Sequence, residues 1–291
     1  MNEPVPGPLV SADWLAEHLD EPDLRIVHVS VDRTVYDRFH LPGAIFVDLH
    51  VDLAKAGARP ETGSAPRVYL VPSREEVAAA LARWGVAPGM SIVFYDDVGG
   101  GRHGIRGYWL LRLYGFPSER LHVLDGGLGF WLSQNLPTTD VAFAPAPVDV
   151  TEPLRDRDPL LIATADEVLA WSREAAQPHG PTRLLDVRRI DEFLGAQVLT
   201  RRGGRIAGAR HRVFTDFIAP DGRLRPAAEA LATLKGSGVD PEELRATYCQ
   251  GGIRAALVWF VLHEMAGLSD VRSYAESWEE WGNRPDLPVE I

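Results

Sequence analysis

The residues best equipped for chemistry lie in Thr247-Tyr248-Cys249-Gln250-Gly251-Gly252-Ile253-Arg254. Cys249 is the sole cysteine among 291 residues. A β-forming run leads into it, a glycine pair follows, and the pattern from Ile253 to about Ala266 is helical. This order places the thiol at the mouth of a tight turn between a strand and a helix N-terminus, where backbone N–H groups and the helix dipole converge. A thiol so placed is expected to ionise more easily than free cysteine, whose pKa is about 8.5. Gly251 and Gly252 let several amides curl inward, forming an anion nest with Cys249 at its rim. A lone cysteine can also be a small buried apolar residue. The glycine turn and Arg254 favour the nucleophile.

The elements that hold this turn follow from the rest of the chain. The length suits two domains of roughly 130 residues better than one core, and 45% hydrophobic residues can fill both. No run approaches the ~18 apolar residues of a membrane helix, and Met1-Asn2-Glu3-Pro4 has no basic or apolar leader character. A soluble, cytoplasmic protein without a membrane partner is expected. One cysteine excludes an intramolecular disulfide and a thiolate-rich zinc site, and suits a reducing compartment. The net charge of −11 and pI near 5.3 argue against a nucleic-acid partner. With only Lys55 and Lys235 as lysines, arginine must supply the positive charge of any anion pocket. The nine histidines include no i,i+4 pair, and Asp48, His50 and Asp52 read as the polar edge of a strand end. No metal and no cofactor are expected.

Two halves of the chain repeat each other. Ser11 caps a helical pattern Ala12–Leu19 before a strand Leu24–Val31; Thr164 and Glu167 form a capping box for a helix before a strand Arg183–Val187. Pro42-Gly43-Ala44 corresponds to Ala207-Gly208-Ala209. Ser73 with Glu76 starts a helix to Trp84, and Pro226 starts its counterpart to Lys235. Strands Ser91–Tyr95 and Arg245–Tyr248 enter the two equivalent loops, and strands Leu121–Leu124 and Val271–Tyr274 precede closing segments that end in Trp131 and Trp281. A single repeat of about 150 residues means duplication rather than a solenoid. Alternating strands and helices predict an α/β class with a mainly parallel sheet flanked by helices in each half, and ligand loops at strand C-termini. The expected domains are 8–137 and 160–291, with 138–159 as a proline-rich linker. In the first half, Gly99-Gly100-Gly101-Arg102-His103-Gly104 has the spacing of a dinucleotide fingerprint with Asp125 about 20 residues on. Against a nicotinamide site stand Asp96 and Asp97 beside the supposed pyrophosphate, and the repeat, which maps Gly104-Ile105-Arg106 onto Gly252-Ile253-Arg254.

These residues carry a resemblance. Pro42-Gly43-Ala44 before Phe46-Val47-Asp48, Leu124-Asp125-Gly126-Gly127 with Trp131, Asp186-Val187-Arg188, the Cys249 loop and Ser277-Trp278-Glu279-Glu280-Trp281 occur in the order of the tandem-domain rhodaneses. The chain resembles this sulfurtransferase family, which includes thiosulfate and 3-mercaptopyruvate sulfurtransferases, over nearly its whole length. The resemblance implies two rhodanese-like domains, the first inactive and the second catalytic, with Asp96 as the relic of a lost nucleophile. It implies that Cys249 carries a sulfane sulfur as a persulfide from thiosulfate or 3-mercaptopyruvate to a thiophilic acceptor such as cyanide, a thiol or a protein.

Such a transfer needs a thiolate, a nest for the anionic persulfide and cations for the donor. The backbone N–H groups of Gln250, Gly251, Gly252, Ile253 and Arg254 are the expected cradle. Arg254 can hold a donor carboxylate or sulfonate by two parallel hydrogen bonds, or fix the loop by bonding nearby carbonyls. Arg188 matches the family's substrate-binding arginine, with a surface ion pair to Asp191 or Glu192 as the alternative. Arg201, Arg202, Arg205, Arg210 and Arg212 could line the pocket or form a solvated loop. Three departures leave the donor open. Arg254 stands where members of known donor preference usually have threonine, Glu192 stands where mercaptopyruvate-type members have a second arginine, and Val68-Tyr69-Leu70-Val71-Pro72 lacks a histidine found there in many members. Two other classes compete. Cysteine phosphatases also pair a nest cysteine with an arginine, but across a longer loop than the four residues between Cys249 and Arg254. A non-catalytic rhodanese-like binding module usually lacks the cysteine.

Overall fold

The computed structural model describes residues 6–57 and 68–291; the opening Met1-Asn2-Glu3-Pro4 lies outside them. The chain divides into two units. The first takes the residues up to Ala54, Pro72–Asp158 and Ile218–Leu224, and the second takes the described part of Lys55–Val71, Pro159–Phe217 and Arg225–Ile291.

The first unit is built on a parallel sheet of β1 (Leu9–Val10), β2 (Leu24–Ser30), β3 (Ile45–Asp48), β4 (Ser91–Tyr95) and β5 (Leu121–Leu124), in the spatial order β1-β5-β4-β2-β3. All seven residues of β2 are buried, as a strand covered on both faces requires. Around it lie α1 (Ala12–Glu17), α2 (Arg74–Arg83), α3 (Arg102–Leu113) and α4 (Gly127–Ser133). The caps read from sequence are formed: the Trp14 amide donates to Ser11 Oγ at 3.1 Å, and Ser73 and Glu76 close a reciprocal capping box. Leu15, Ile26, Leu41, Val93 and Trp131 share the core.

The second unit repeats this plan. Its sheet contains β6 (Leu184–Asp186), β7 (Arg210–His211), β8 (Ala246–Tyr248) and β9 (Arg272–Ser273), all parallel, in the order β7-β6-β8-β9. The helices are α5 (Ala165–Ala175), α6 (Ile190–Phe193), α7 (Ala227–Gly236), α8 (Ile253–Trp259) and α9 (Ser277–Trp281). The helical pattern expected to run to about Ala266 is regular only to Trp259 and continues as a wider π-helical turn over Phe260–Met265.

The duplication extends to single hydrogen bonds. Tyr95, at the end of β4, accepts the Leu41 amide on its hydroxyl at 3.2 Å; Tyr248, at the end of β8, accepts the Ile206 amide at 3.2 Å. Trp131 Nε1 donates to the Pro137 carbonyl and Trp281 Nε1 to that of Pro288. These bonds satisfy both buried indoles, and each half closes on a tryptophan followed by a proline-containing tail.

Three expectations change. Residues 138–158, expected as a linker, are counted with the first unit and lie along it as a strap. Thr139 pairs with His40, the Val148 amide donates to Ala82 O, and the Arg155 amide donates to Tyr114 O. The units are also not contiguous halves. Lys55–Gly57 and Val68–Leu70 pair as an antiparallel hairpin counted with the second unit. Residues Ile218–Leu224 join the first, where the Leu224 amide donates to Asp125 Oδ1 at 2.9 Å. Finally, the polar strand end expected over Asp48, His50 and Asp52 reaches only to Asp48, which closes β3: its carboxylate accepts the His50 and Val51 amides and starts a π-helical turn, Leu49–Leu53, that contains His50 and Asp52.

The two tyrosine hydroxyls are expected to be structural. Tyr248→Phe and Tyr95→Phe each leave a buried amide without an acceptor, and each should cost about 1–3 kcal/mol in urea unfolding. The costs should add in the double variant, because the pairs share no partner.

Candidate active site

β8 delivers Tyr248 to the C-terminal edge of the second unit's sheet, and the chain then turns through Cys249-Gln250-Gly251-Gly252 into α8. The Gly252 amide donates to Cys249 Sγ at 3.1 Å. Gly252 adopts φ +81°, a left-handed conformation that ends the turn and begins the helix. Gly251 has a different reason to be glycine: a Cβ there would run into the ring of Tyr69. Ile253 and Arg254 open α8, so their amides belong to the first turn of the helix.

The loop is also held from behind. The Cys249 amide donates to Ser277 Oγ at 3.1 Å, and that hydroxyl donates to Tyr274 O at 2.7 Å. Ser277 pays for this position with φ +55°, where the first unit has Gly127 at φ +54°. The Trp278 and Glu279 amides donate to the carbonyls of Cys249 and Gln250. Gln250 Nε2 donates to Glu279 Oε2 at 2.9 Å, while its buried Oε1 has no protein partner. Cys249 itself is only 1% exposed.

Arg254 is occupied. Its two terminal nitrogens donate to the two Glu192 oxygens at 2.6 and 2.9 Å. Burial alone would lower the pKa of this guanidinium, but the Glu192 fork and the neighbouring charge of Cys249 raise it above the usual arginine value. Burial of Glu192 is likewise outweighed by the Arg254 fork, which holds its carboxyl below the usual glutamate range. The loop-fixing contact is therefore a carboxylate, not the carbonyls expected from sequence. Glu192, at the position of the family's second arginine, supplies it.

Arg188, the other arginine singled out, is buried and paired. It is 1% exposed, with Nε and Nη2 on the Asp186 carboxylate and Nη2 also on Gly204 O at 2.7 Å. Its guanidinium lies 4.6 Å over the Trp278 ring. The two-residue spacing folds the side chain back onto the end of β6, so its ion pair is a buried one with Asp186 and not a surface pair with Asp191 or Glu192. Most of the arginine-rich stretch is structural as well. Arg202 donates to the carbonyls of Trp281, Arg284 and Leu287, Arg205 pairs with Glu290, and Arg212 pairs with Asp216. Arg201 and Arg210 are exposed.

The equivalent loop of the first unit contains a resident anion. Asp96 accepts the His103 amide at 2.7 Å and the Gly104 amide at 3.4 Å on one oxygen, and the Val98 amide at 3.3 Å on the other. The amides that would cradle a pyrophosphate in a dinucleotide site point at this carboxylate instead. Asp125, the acid of the fingerprint, receives the Leu224 amide.

The sequence profile described as "Rhodanese-like domain" matches residues 11–134 and again 164–284. The chain belongs to the rhodanese-like family. It is 34% identical over 284 residues to the thiosulfate sulfurtransferase of Azotobacter vinelandii, covering 95% of this chain and 94% of that protein. It is 30% identical over 294 residues to the sulfur carrier protein TtuD of Thermus thermophilus, covering 98% and 96%. The crystal structure of the Escherichia coli 3-mercaptopyruvate enzyme SseA superposes with a TM-score of 0.75 at 26% identity, covering 94% of this chain and 99% of that one. The expected tandem rhodanese fold and sulfurtransferase class are thereby borne out. The rhodanese motifs pointed to the Cys249 loop, but Ser277, Glu192 and Tyr69 carried no signal of their roles. The Ser277-Trp278-Glu279-Glu280-Trp281 motif marked where Ser277 lies, and only its paired hydrogen bonds show what it does.

Burial pushes the Asp96 carboxyl up to about 6, against the pull of its amide donors. A carboxyl raised in the folded state binds its proton more tightly there than in the unfolded chain. Its contribution to stability is complete below about pH 4 and is lost as pH rises through about 6. Asp96→Asn should remove this dependence. Between pH 4 and 7 the native protein should lose on the order of 3 kcal/mol relative to the variant, measured by denaturant titration at each pH.

Proposed function

We propose that this sulfurtransferase works through a persulfide on Cys249, in a ping-pong cycle. The observation that carries this reading is the sulfur of the sole cysteine receiving the Gly252 amide at a glycine turn into a helix. The thiolate attacks the outer sulfur of a small anionic donor. With thiosulfate the S–S bond breaks and sulfite leaves with the bonding pair. With 3-mercaptopyruvate the C–S bond breaks and pyruvate forms once its carbon takes a proton. The acceptor's nucleophile then attacks the outer persulfide sulfur, and the pair of the broken S–S bond returns to Cys249 as thiolate. The two donors come from the names of the Azotobacter and Escherichia coli relatives. The acceptor is cyanide or a thiol in the assay and a thiol-bearing protein in the cell.

The amides from Gln250 to Arg254 form the cradle in this reading, with Gly252 already directed at the sulfur. Arg254 acts mainly by charge and by fixing the loop, because both ends of its fork are held by Glu192. The first unit has a carboxylate where the nucleophile would be and takes no sulfur. No helix among the described residues is long and apolar enough to cross a membrane, and we infer a reducing, cytoplasmic setting from the unpaired thiol.

Cys249→Ser should abolish sulfur loading while leaving urea unfolding nearly unchanged. Loading is read by mass spectrometry as one added sulfur on the Cys249 peptide, removed by cyanide; an added sulfur in the variant overturns the assignment. Arg254→Ala should lower kcat for loading about tenfold or more, with a smaller change in the donor's KM. A large rise in KM at constant kcat would instead show that Arg254 binds the donor directly.

A further inference from the structure

The short helix α6 has two different faces. Glu192 is buried and grips Arg254 at the start of α8. Ile190 and the following Leu194, four residues apart and so on one side of the turn, are 54% and 52% exposed. Val198 and Leu199, in the loop that follows, are 54% and 39% exposed. Four large aliphatic side chains thus stand in water within ten residues, a concentration that marks contact surfaces.

The charge around them is opposite to that of the chain. Residues 183–212 contain eight arginines and three carboxylates; Arg183, Arg205 and Arg212 pair with Glu174, Glu290 and Asp216 outside the segment, which still leaves a net positive stretch in a protein of net charge −11. Arg189, Arg201 and Arg210 are exposed, and their guanidinium groups form no ion pair among the described residues. This segment leaves the sheet beside the Cys249 loop. Asp186 is in register with Tyr248, so the backbone through Val187 and Arg189 runs from the strand end adjoining the one that carries Cys249.

We propose that this cationic, apolar face is the docking surface for an acidic protein that accepts sulfur from Cys249 through its own thiol; the proposal rests on the persulfide reading above. A small acceptor needs no such face. A nucleic acid would use the arginines and leave the aliphatic side chains wet, and a second copy of this chain paired patch to patch about a two-fold axis would present the same positive face to it. An acidic protein with an apolar contact matches both properties and gains on-rate from the charge. A persulfide carries its transferable sulfur about 2 Å beyond Cys249 Sγ. The docked thiolate attacks that outer sulfur, the S–S bond breaks, and its electron pair stays on Cys249, so the partner leaves as a persulfide with no net oxidation.

The test loads the full chain with sulfur and follows single-turnover transfer to reduced thioredoxin, an acidic protein with an accessible thiol, and to cyanide. In the wild type, added salt should slow transfer to thioredoxin and leave transfer to cyanide nearly unchanged. The triple variant Arg189→Glu, Arg201→Glu, Arg210→Glu should lower the thioredoxin rate constant about tenfold or more, with cyanide transfer kept within about twofold. Leu194→Ser should also lower it, which tests the apolar part without changing the charge of the face. Unchanged thioredoxin transfer in both variants, or an equal loss with cyanide, would overturn the docking surface. Failure of the wild type to load sulfur would overturn the persulfide reading, and it is visible before any acceptor is added.

Discussion

The site depends on one short approach, the Gly252 amide to the Cys249 sulfur. An N–H aimed at a sulfur stabilises negative charge there only if the backbone cannot turn away, and almost every neighbouring contact serves that end. Gly252 ends the turn in a left-handed conformation, and Ser277 takes the Cys249 amide. The Trp278 and Glu279 amides hold the loop's first two carbonyls. These bonds are made as the protein folds, so little reorganisation is needed when charge develops on sulfur.

Two ion pairs frame the loop, one buried and one partly buried, and their roles differ. Asp186 and Arg188 satisfy each other at the end of β6, with Gly204 O and the Trp278 ring taking the rest of the guanidinium. Removing one partner would strand a buried charge, typically at about 3–5 kcal/mol, so the pair is a structural necessity once formed. Glu192 and Arg254 are also forked together, but Arg254 lies on the helix that starts at the loop and senses the charge of Cys249. The same side-chain chemistry thus anchors a strand end in one case and places a cation beside the cysteine turn in the other.

The two units show what one substitution does to a shared scaffold. Both present a tyrosine at the strand end, amides from the following turn and a segment that bonds back to the residue after the tyrosine. In the first, the carboxylate of Asp96 occupies the amides permanently and is itself destabilised by burial. In the second, the Gly252 amide faces a thiol. The fold supplies the nest, and the residue placed in it decides whether the nest is filled or available.

The strands, caps and repeat were legible because they depend on local rules. Ser73 with Glu76 and Thr164 with Glu167 cap the helices they precede, and β4 and β5 have their expected bounds. The Cys249 turn was legible for the same reason, since glycines and a helix start are encoded within a few residues. What depended on distant partners was not. Arg188 could be read as exposed until its guanidinium met Asp186, Gly204 and Trp278 together. Tyr69 lies in the first half of the sequence, yet its ring packs on Gly251. Glu192 needed the tertiary fold to meet Arg254, 62 positions away. By itself the sequence determined the α/β repeat and the turn that carries Cys249, because propensity and capping act over one or two turns of chain. Only tertiary structure decided which charges are spent on one another, because that choice is made by side chains that meet across the fold.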